Sequence, residues 1–191
     1  MKTEFISAKE TAKLVRARLK KVFPGVKFSV RTDGGSTYSS IRIKWQDGPA
    51  TTAVDAVVKG FERAQFDGSI DLRTGVKHWL DSDGVPHIAT TDGTEGSGGV
   101  ITAEREWMPT PDCKLVSFSV DHIFTCRTMS EKFATRLLEK LARDGLPDNT
   151  LYCQTYDDGT AAIRECKGGN FETTRLWRHK ASVLADRFVV A

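Results

Sequence analysis

The sequence predicts an α+β protein with antiparallel sheets and helices packed on one face. Segments that alternate polar and apolar residues predict strands, and segments with apolar residues every three or four positions predict helices. A helix followed by a β-hairpin occurs near both ends of the chain, which is typical of antiparallel α+β architecture. We therefore expect an N-terminal α-β-β-α unit, followed by further β-hairpins and two helices.

The first helix is predicted to begin after Ser7, because Glu10 lies three residues further on and completes a capping box. Its apolar residues recur at helical spacing and form the stripe that we expect to be buried: Ala12, Val15, Leu19 and Val22. Basic residues occupy another face of the same helix. Pro24-Gly25 is predicted to end it.

Two strands follow the first helix and are expected to pair as a hairpin. VKFSVR (26–31) alternates, with its apolar residues on one side and Lys27 and Arg31 on the other. SIRIKWQ (40–46) alternates in the same way, and Arg42 and Lys44 lie on its polar side. Pairing would place these four cations on one sheet face, which we expect to lack exposed aromatic side chains.

Between the two strands lies the glycine-rich segment TDGGSTYS (32–39). It is predicted to be a flexible hairpin loop. Its backbone amides offer an alternative interpretation as a phosphate contact. Ordinary loop composition favours the hairpin tip.

The corner WQDGP (45–49) connects the second strand to the second helix. Asp47-Gly48 turns the chain, and Pro49 prevents further strand pairing. Thr52 with Asp55 is the predicted cap of the second helix. Its apolar stripe contains Val54, Val57, Val58 and Phe61. The corner is interpreted as a scaffold hinge with no chemistry of its own.

The remainder of the chain is predicted to contain more strands, a hairpin and two helices. The strands lie at 69–80, 85–91, 100–108 and 114–126. Thr128 with Glu131 caps the third helix, and Gly145 ends it. Its apolar residues are Phe133, Leu137, Leu138 and Leu141. A hairpin turns at Asp158-Gly159, and a last helix covers 174–188 with Trp177, Ala181, Leu184 and Phe188 on its apolar side.

The segment DGTEGSGG (92–99) is predicted to be a linker. It divides the chain into an N-terminal domain, residues 1–91, and a C-terminal α+β domain, residues 100–191. No apolar segment approaches the roughly 20 residues that cross a bilayer, and the N-terminus lacks the apolar core of a secretory signal. A cytoplasmic protein is expected.

Charge is distributed unevenly along the chain. Residues 1–45 contain eleven basic and three acidic residues, a net charge of +8, whereas residues 46–99 contain four basic and nine acidic residues, a net charge of −5. The asymmetry favours an anionic partner for the N-terminal third. It argues against a DNA mimic, which should be acidic throughout.

The basic residues that we predict to contact a partner or the backbone of DNA or RNA are Lys9, Lys13, Arg16, Lys20, Lys27, Arg31, Arg42 and Lys44. A solvated surface with no partner is the simpler interpretation, since lysine and arginine are common on exposed faces. Any nucleic-acid contact would be to phosphates, and therefore sequence-tolerant and sensitive to salt.

The sequence contains no motif that identifies a reaction, a cofactor or a metal site. Cys113, Cys126, Cys153 and Cys166 are scattered without a CxxC pair and are interpreted as buried thiols. His122 with Cys126 is a weak candidate for a nucleophilic pair, because no oxyanion hole or orienting group is visible. His78 and His87, with Asp81 or Asp83, are a weak candidate for a metal site. We predict neither catalytic residues nor metal ligands.

Four ordered motifs resemble a known family: ISAKETAKLVR, FPGVKFSVR, SIRIKWQDGP and FDGSID. Together they cover about residues 6–71 and are similar to a large polyvalent protein-associated domain, the twenty-ninth of that series. Such domains resemble parts of large proteins that phages and conjugative elements carry, and that are thought to accompany incoming DNA and blunt host defences. The resemblance implies a mobile-element accessory protein in a bacterial host cell, and it brings no catalytic residues.

The leading hypothesis is a non-enzymatic counter-defence inhibitor, of the anti-CRISPR or antirestriction type, that binds a host nucleoprotein complex. One alternative is a sequence-tolerant nucleic-acid-binding protein. The other is an enzyme that depends on His122 and Cys126. The sequence does not identify the host target or the oligomeric state.

Overall fold

The computed structural model describes residues 2–34, 38–67, 71–94, 97–101, 108–167 and 170–187. It confirms the α+β class. The helices are α1 (Ala8–Val22), α2 (Thr51–Val58), α3 (Glu131–Arg143) and α4 (Phe171–Arg187), and a 3₁₀ turn covers Lys59–Phe61. No helix among the described residues is long and apolar enough to cross a membrane.

The strands are numbered in chain order. They are β1 (Glu4–Ile6), β2 (Ser29–Gly34), β3 (Ser39–Gln46), β4 (Ala64–Asp67), β5 (Leu72–Gly75), β6 (His78–Leu80), β7 (Pro86–His87), β8 (Ala89–Thr94), β9 (Ser97–Ile101), β10 (Lys114–Phe118), β11 (His122–Ser130), β12 (Leu151–Thr155) and β13 (Thr160–Glu165). The predicted linker 92–99 includes ends of β8 and β9, which pair as an antiparallel hairpin.

The chain divides into two compact units, which differ from the predicted halves. The first unit contains Met1–Ile43 and Asp55–Thr125, and the second contains Lys44–Val54 and Cys126–Ala191. Strands β3 and β11 each begin in the first unit and end in the second. The predicted domain boundaries at 92–99 stay a prediction.

One sheet of the first unit has the strand order β1-β10-β6-β7. Strand β1 precedes the predicted first helix and pairs parallel with β10, while β10 and β6 are antiparallel. A strand of three residues is too short to show alternation, so the sequence did not predict it. The core here includes Phe61 and Phe118, whose ring centroids lie 5.5 Å apart.

Helix α1 confirms the predicted capping box in atomic detail. The backbone N–H of Glu10 donates to Ser7 Oγ at 3.4 Å, and the backbone N–H of Ser7 donates to a Glu10 carboxylate oxygen at 2.9 Å. Its predicted stripe is buried at Ala12, Val15 and Leu19. The first unit also places β2, β3 and β11 as neighbours in that order, with Val30, Ile41, Ile43 and Ile123 buried.

Several sequence-based element assignments are wrong. The predicted strand 69–80 contains two strands of different sheets, β5 and β6, and the predicted strand 85–91 contains β7 and part of β8. The predicted strand 100–108 lies mostly outside the described residues. The predicted strand 114–126 is two strands, β10 and β11, separated at residues 119–121 and belonging to different sheets. Thr52 does not cap α2, which begins one residue earlier; Asp55 instead accepts a hydrogen bond from Thr125 Oγ1 at 2.7 Å. Helix α3 is capped by Ser130 rather than Thr128, because β11 continues through Thr128.

The second unit places β11, β13 and β12 side by side, with β12 and β13 paired around the predicted turn. Its core joins α3, α4 and β12 through Phe133, Leu137, Leu141, Leu151, Trp177 and Ala181. Asp47 holds the WQDGP corner in this unit. Its carboxylate accepts hydrogen bonds from the Ser130 N–H and the Ser130 hydroxyl, both at 2.8 Å. Phe188, predicted for the last helix, lies outside the described residues.

Candidate functional site

All eight predicted contact residues are exposed. Seven belong to the first unit, and we call them the cationic surface: Lys9, Lys13, Arg16, Lys20, Lys27, Arg31 and Arg42. Lys44 is exposed as well but belongs to the second unit. Lys27 precedes β2, because this strand begins at Ser29, three residues later than predicted.

Arg16 connects the helical part of the cationic surface to the strand part. Its guanidinium donates a hydrogen bond of 2.7 Å to the carbonyl of Val30. Val30 lies in β2, the end strand of its sheet in the described part of the chain, where backbone groups lack a further strand to pair with. Arg31 follows directly in β2, so the α1 cations and the strand cations meet at this edge.

Little acidic charge neutralises the cationic surface. Arg42 lies 3.5 Å from Asp33, and both side chains are more than half exposed, so the pair contributes little stability. Among the described residues, the other six cations have no acidic partner within 4.0 Å in an ion pair. The positive potential therefore remains available to an anionic partner.

Glu62 is a buried carboxylate that sequence reasoning missed. Its side chain is 10% exposed, and it accepts hydrogen bonds from the backbone N–H of Ile123 at 2.8 Å and from Arg73 at 2.6 Å. Lys59 donates to it at 3.2 Å. A carboxylate so deep in the protein is stable only because cations and N–H groups surround it.

Arg73, in β5, extends this network toward the surface. Besides Glu62, its guanidinium donates to the carbonyl of Asp121 at 2.7 Å. It also lies 2.7 Å from His122 Nδ1. The same guanidinium nitrogen lies 3.2 Å from His122 Nε2. Since arginine can only donate, a nitrogen of the imidazole ring is the acceptor. The buried carboxylate thus fixes Arg73, and Arg73 orients the His122 ring.

His122 lies between two exposed aromatic rings, and we call these three side chains the aromatic cluster. The centroid of His122 is 6.2 Å from that of Tyr38 and 5.9 Å from that of Phe124. Tyr38 is 44% exposed and Phe124 is 46% exposed. The expectation that the basic sheet face lacks exposed aromatic side chains is therefore wrong.

Two hydrogen bonds place the aromatic cluster beside Arg42. The N–H of Ser39 donates to the Asp121 carboxylate and the N–H of Asp121 donates to the Ser39 carbonyl, both at 2.8 Å. These two hydrogen bonds link the starts of the neighbouring strands β3 and β11. The N–H of Asp47 donates to the Thr128 carbonyl near the other end, so the two strands run in the same direction. Arg42 and Phe124 each lie three residues past the link, on the face opposite the buried isoleucines.

The other candidate residues are not brought together. His87 bonds to Asp81 at 2.8 Å, whereas His78 is buried against Phe118 with ring centroids 5.1 Å apart. No group of three or more His, Cys, Asp or Glu in the described part of the chain is placed to hold a metal ion. Cys126 is exposed rather than buried, because it lies on the same outward side of β11 as His122 and Phe124.

The second unit contains an open cleft of about 400 Å³ between α3 and α4. Trp177 lies in its wall, and the Lys180 ammonium lies 4.0 Å from the centroid of that ring. A lysine already placed over the aromatic face occupies the surface on which a ligand would stack. The cleft therefore does not favour a particular ligand.

Comparison with known protein families assigns the chain to a family. The family described as Large polyvalent protein associated domain 29 matches residues 6–130, more than half of the chain. The chain belongs to this family, and the suspected resemblance is confirmed and extended beyond residue 71. Membership associates the protein with phages or mobile elements. No curated protein and no solved structure matches the chain significantly.

Proposed function

We propose that this protein is a non-enzymatic counter-defence inhibitor of the anti-CRISPR or antirestriction type, which binds a host nucleoprotein complex through the cationic surface. One observation carries the proposal: six of its seven cations have no acidic ion-pair partner among the described residues. A host complex that exposes nucleic-acid phosphates presents the opposite charge. Each phosphate neutralised releases condensed counterions, so the contact contributes affinity without reading sequence.

The cationic surface combines fixed and adaptable groups. Arg16 is held by its hydrogen bond to Val30, whereas Lys9, Lys13 and Lys20 extend from exposed positions of α1. Lysine ammonium groups on flexible stems act as point charges and tolerate variable phosphate positions. This arrangement fits a partner that is recognised by charge and shape more than by base identity.

The test compares two triple variants with the same change in net charge. Lys9→Glu, Lys13→Glu and Lys20→Glu reverse the α1 cations; Arg16 is kept because its hydrogen bond supports β2. The control reverses three exposed cations of the second unit, Lys132, Arg136 and Arg175. Each tagged protein is used to capture host complexes from bacterial lysate with and without nuclease.

We expect the wild type and the control to capture a protein together with nucleic acid, and the α1 variant to lose that capture. Circular dichroism is used to check that both variants are folded. Equal capture by the wild type and the α1 variant would show that the cationic surface is not the contact. Loss in both variants would show that only the net charge of +3 matters, which also contradicts the proposal.

Direct nucleic-acid binding is the second candidate, and the aromatic cluster beside Arg42 favours it. Aromatic side chains on an exposed sheet face are a common platform for unpaired bases. Titration of duplex and single-stranded oligonucleotides against increasing salt tests it. Absence of binding even at low salt excludes this candidate.

A further inference from the structure

A chain of hydrogen bonds connects the aromatic cluster to the buried Glu62. The Glu62 carboxylate is fixed by the Ile123 N–H, and it holds Arg73, which in turn holds the His122 ring. Each contact in this chain is between 2.6 and 2.8 Å. The ring orientation is therefore set before any partner arrives.

Tyr38 is held by a separate set of contacts. Ser39, the next residue, exchanges backbone and side-chain hydrogen bonds with Asp121, and its hydroxyl donates to the Ser119 carbonyl at 2.6 Å. Arg63 contacts the same Asp121 carboxylate at 2.6 Å. Tyr38 therefore approaches His122 from a fixed backbone, although about 84 residues separate them along the chain.

A preorganised set of exposed rings gains free energy when a partner covers it, since burying a large aromatic side chain is worth roughly 1.5–3 kcal/mol. Here Tyr38 and Phe124 are nearly half exposed on either side of His122. Preorganisation lowers the entropy cost of binding a flat group. The charge beside the rings is positive, at Arg42.

We propose that the aromatic cluster stacks unpaired bases of single-stranded nucleic acid, whose phosphates lie along the cationic surface. Every base has a π-face, whatever the sequence of the strand, so the stacking is sequence-tolerant. In a duplex the faces of the bases are covered by their neighbours, so the cluster distinguishes single strands from duplexes. The inference names the nucleic-acid component of the partner, and it rests on the proposed function for the role of the cationic surface.

Arg42 connects the two surfaces. Its exposed pair with Asp33, at 3.5 Å, is easily exchanged for a phosphate, since exposed ion pairs are weak. A strand that stacks on Phe124 would pass its backbone next to Arg42 and then toward Arg31 on the neighbouring strand β2. Across the sheet, the aromatic side chain on β11 is thus followed by the cations on β3 and β2.

The test uses fluorescence anisotropy with two labelled probes at about 50 mM salt, where phosphate contacts are strong. One probe is an oligothymidylate of roughly twelve nucleotides, within the usual footprint of a single-strand site. The other is a duplex of the same length. The variants are Phe124→Ala and Tyr38→Ala, and the control is Phe5→Ala, which removes a 68% exposed ring from β1, in a different sheet of the first unit.

We expect Phe124→Ala and Tyr38→Ala each to weaken oligothymidylate binding by about 5- to 150-fold, the usual loss for one base stack. Duplex binding should stay unchanged, and Phe5→Ala should bind both probes like the wild type. The three side chains are exposed, so their truncation leaves the core intact. Melting temperatures confirm this.

Three results would overturn the stacking site. They are wild-type oligothymidylate affinity in both cluster variants, an equal loss in Phe5→Ala, and no binding of either probe by the wild type. The α1 charge variant separates this inference from the proposed function. If that variant loses binding to both probes while the cluster variants do not, the cationic surface is the contact and the stacking site is absent.

Discussion

Acidification is expected to destabilise the protein through His78, a buried histidine in β6 of the first unit. Only 1% of its surface is exposed, and neither ring nitrogen has a hydrogen-bond partner within the described structure. The ring lies against Phe118. Burial in this apolar site lowers the pKa of His78 to about 4, because a charged imidazolium would lose its hydration without gaining a partner.

The direction of the pH effect follows from comparing the pKa of His78 in the folded and unfolded chain. In the unfolded chain the pKa of this histidine is about 6.5, so between pH 6.5 and 4 the unfolded chain binds the proton and the folded protein does not. The contribution of His78 to stability is complete above pH 6.5 and decreases as the pH falls toward 4. Between pH 7.5 and pH 5 the linkage relation gives a loss of about 2 kcal/mol.

Urea unfolding at pH 7.5 and pH 5 measures this loss, with His78→Leu as the test variant. Leucine has a similar volume and cannot bind a proton, so the variant should lose about 2 kcal/mol less than the wild type between the two pH values. His179→Gln, which changes an exposed histidine of α4, should follow the wild type. Equal pH dependence in wild type and His78→Leu would show that His78 is accessible or finds a partner, and would refute the reasoning.

Two further predictions concern stability. Asp47→Ala should lower the free energy of unfolding by about 2–4 kcal/mol, because two hydrogen bonds to Ser130 are lost. Asp47→Gly loses the same hydrogen bonds but should cost about 1 kcal/mol less. Residue 47 has a φ of 55°, which glycine adopts without strain. Denaturant titration measures both, and an equal cost would show that the backbone conformation is not strained. Glu62→Ala should cost about 3–5 kcal/mol, because it removes the ion pair with Arg73 and leaves the buried Ile123 N–H without its acceptor. Glu62→Gln, which keeps an acceptor oxygen, should cost less, and the reverse order in thermal melts would contradict the assigned contacts.

Elements that depend on neighbouring residues could be predicted from the sequence. The capping box of α1 involves residues three apart, and the β12–β13 hairpin turns at a positive-φ glycine, Gly159. Both are local signals that periodicity and turn chemistry detect. The exposed cations of α1, β2 and β3 were predicted for the same reason, because alternation and helical spacing separate the polar side from the buried side.

Features that depend on distant pairing could not be predicted. Ser130 caps α3 because Asp47, about 83 residues earlier, fixes it there. Glu62 is buried because β11 supplies the Ile123 N–H, 61 residues later. Nothing in the local sequence marks that glutamate as different from an exposed one. Alternation in β11 predicts that His122 and Phe124 face outward, as Cys126 does, but the local sequence does not indicate that Tyr38 lies beside them.

The extent of the family match has a physical explanation in these long-range contacts. A segment limited to residues 6–71, which contain the four family-like motifs, would leave Glu62 without Arg73 and Ile123. It would also lack β11, so Ser39 would lose its hydrogen bonds with Asp121 and Tyr38 its contact with His122. A match that ends at residue 130, the last residue of β11, includes all of these partners. The cationic surface and the aromatic cluster thus depend on the same set of contacts that the fold of the first unit requires.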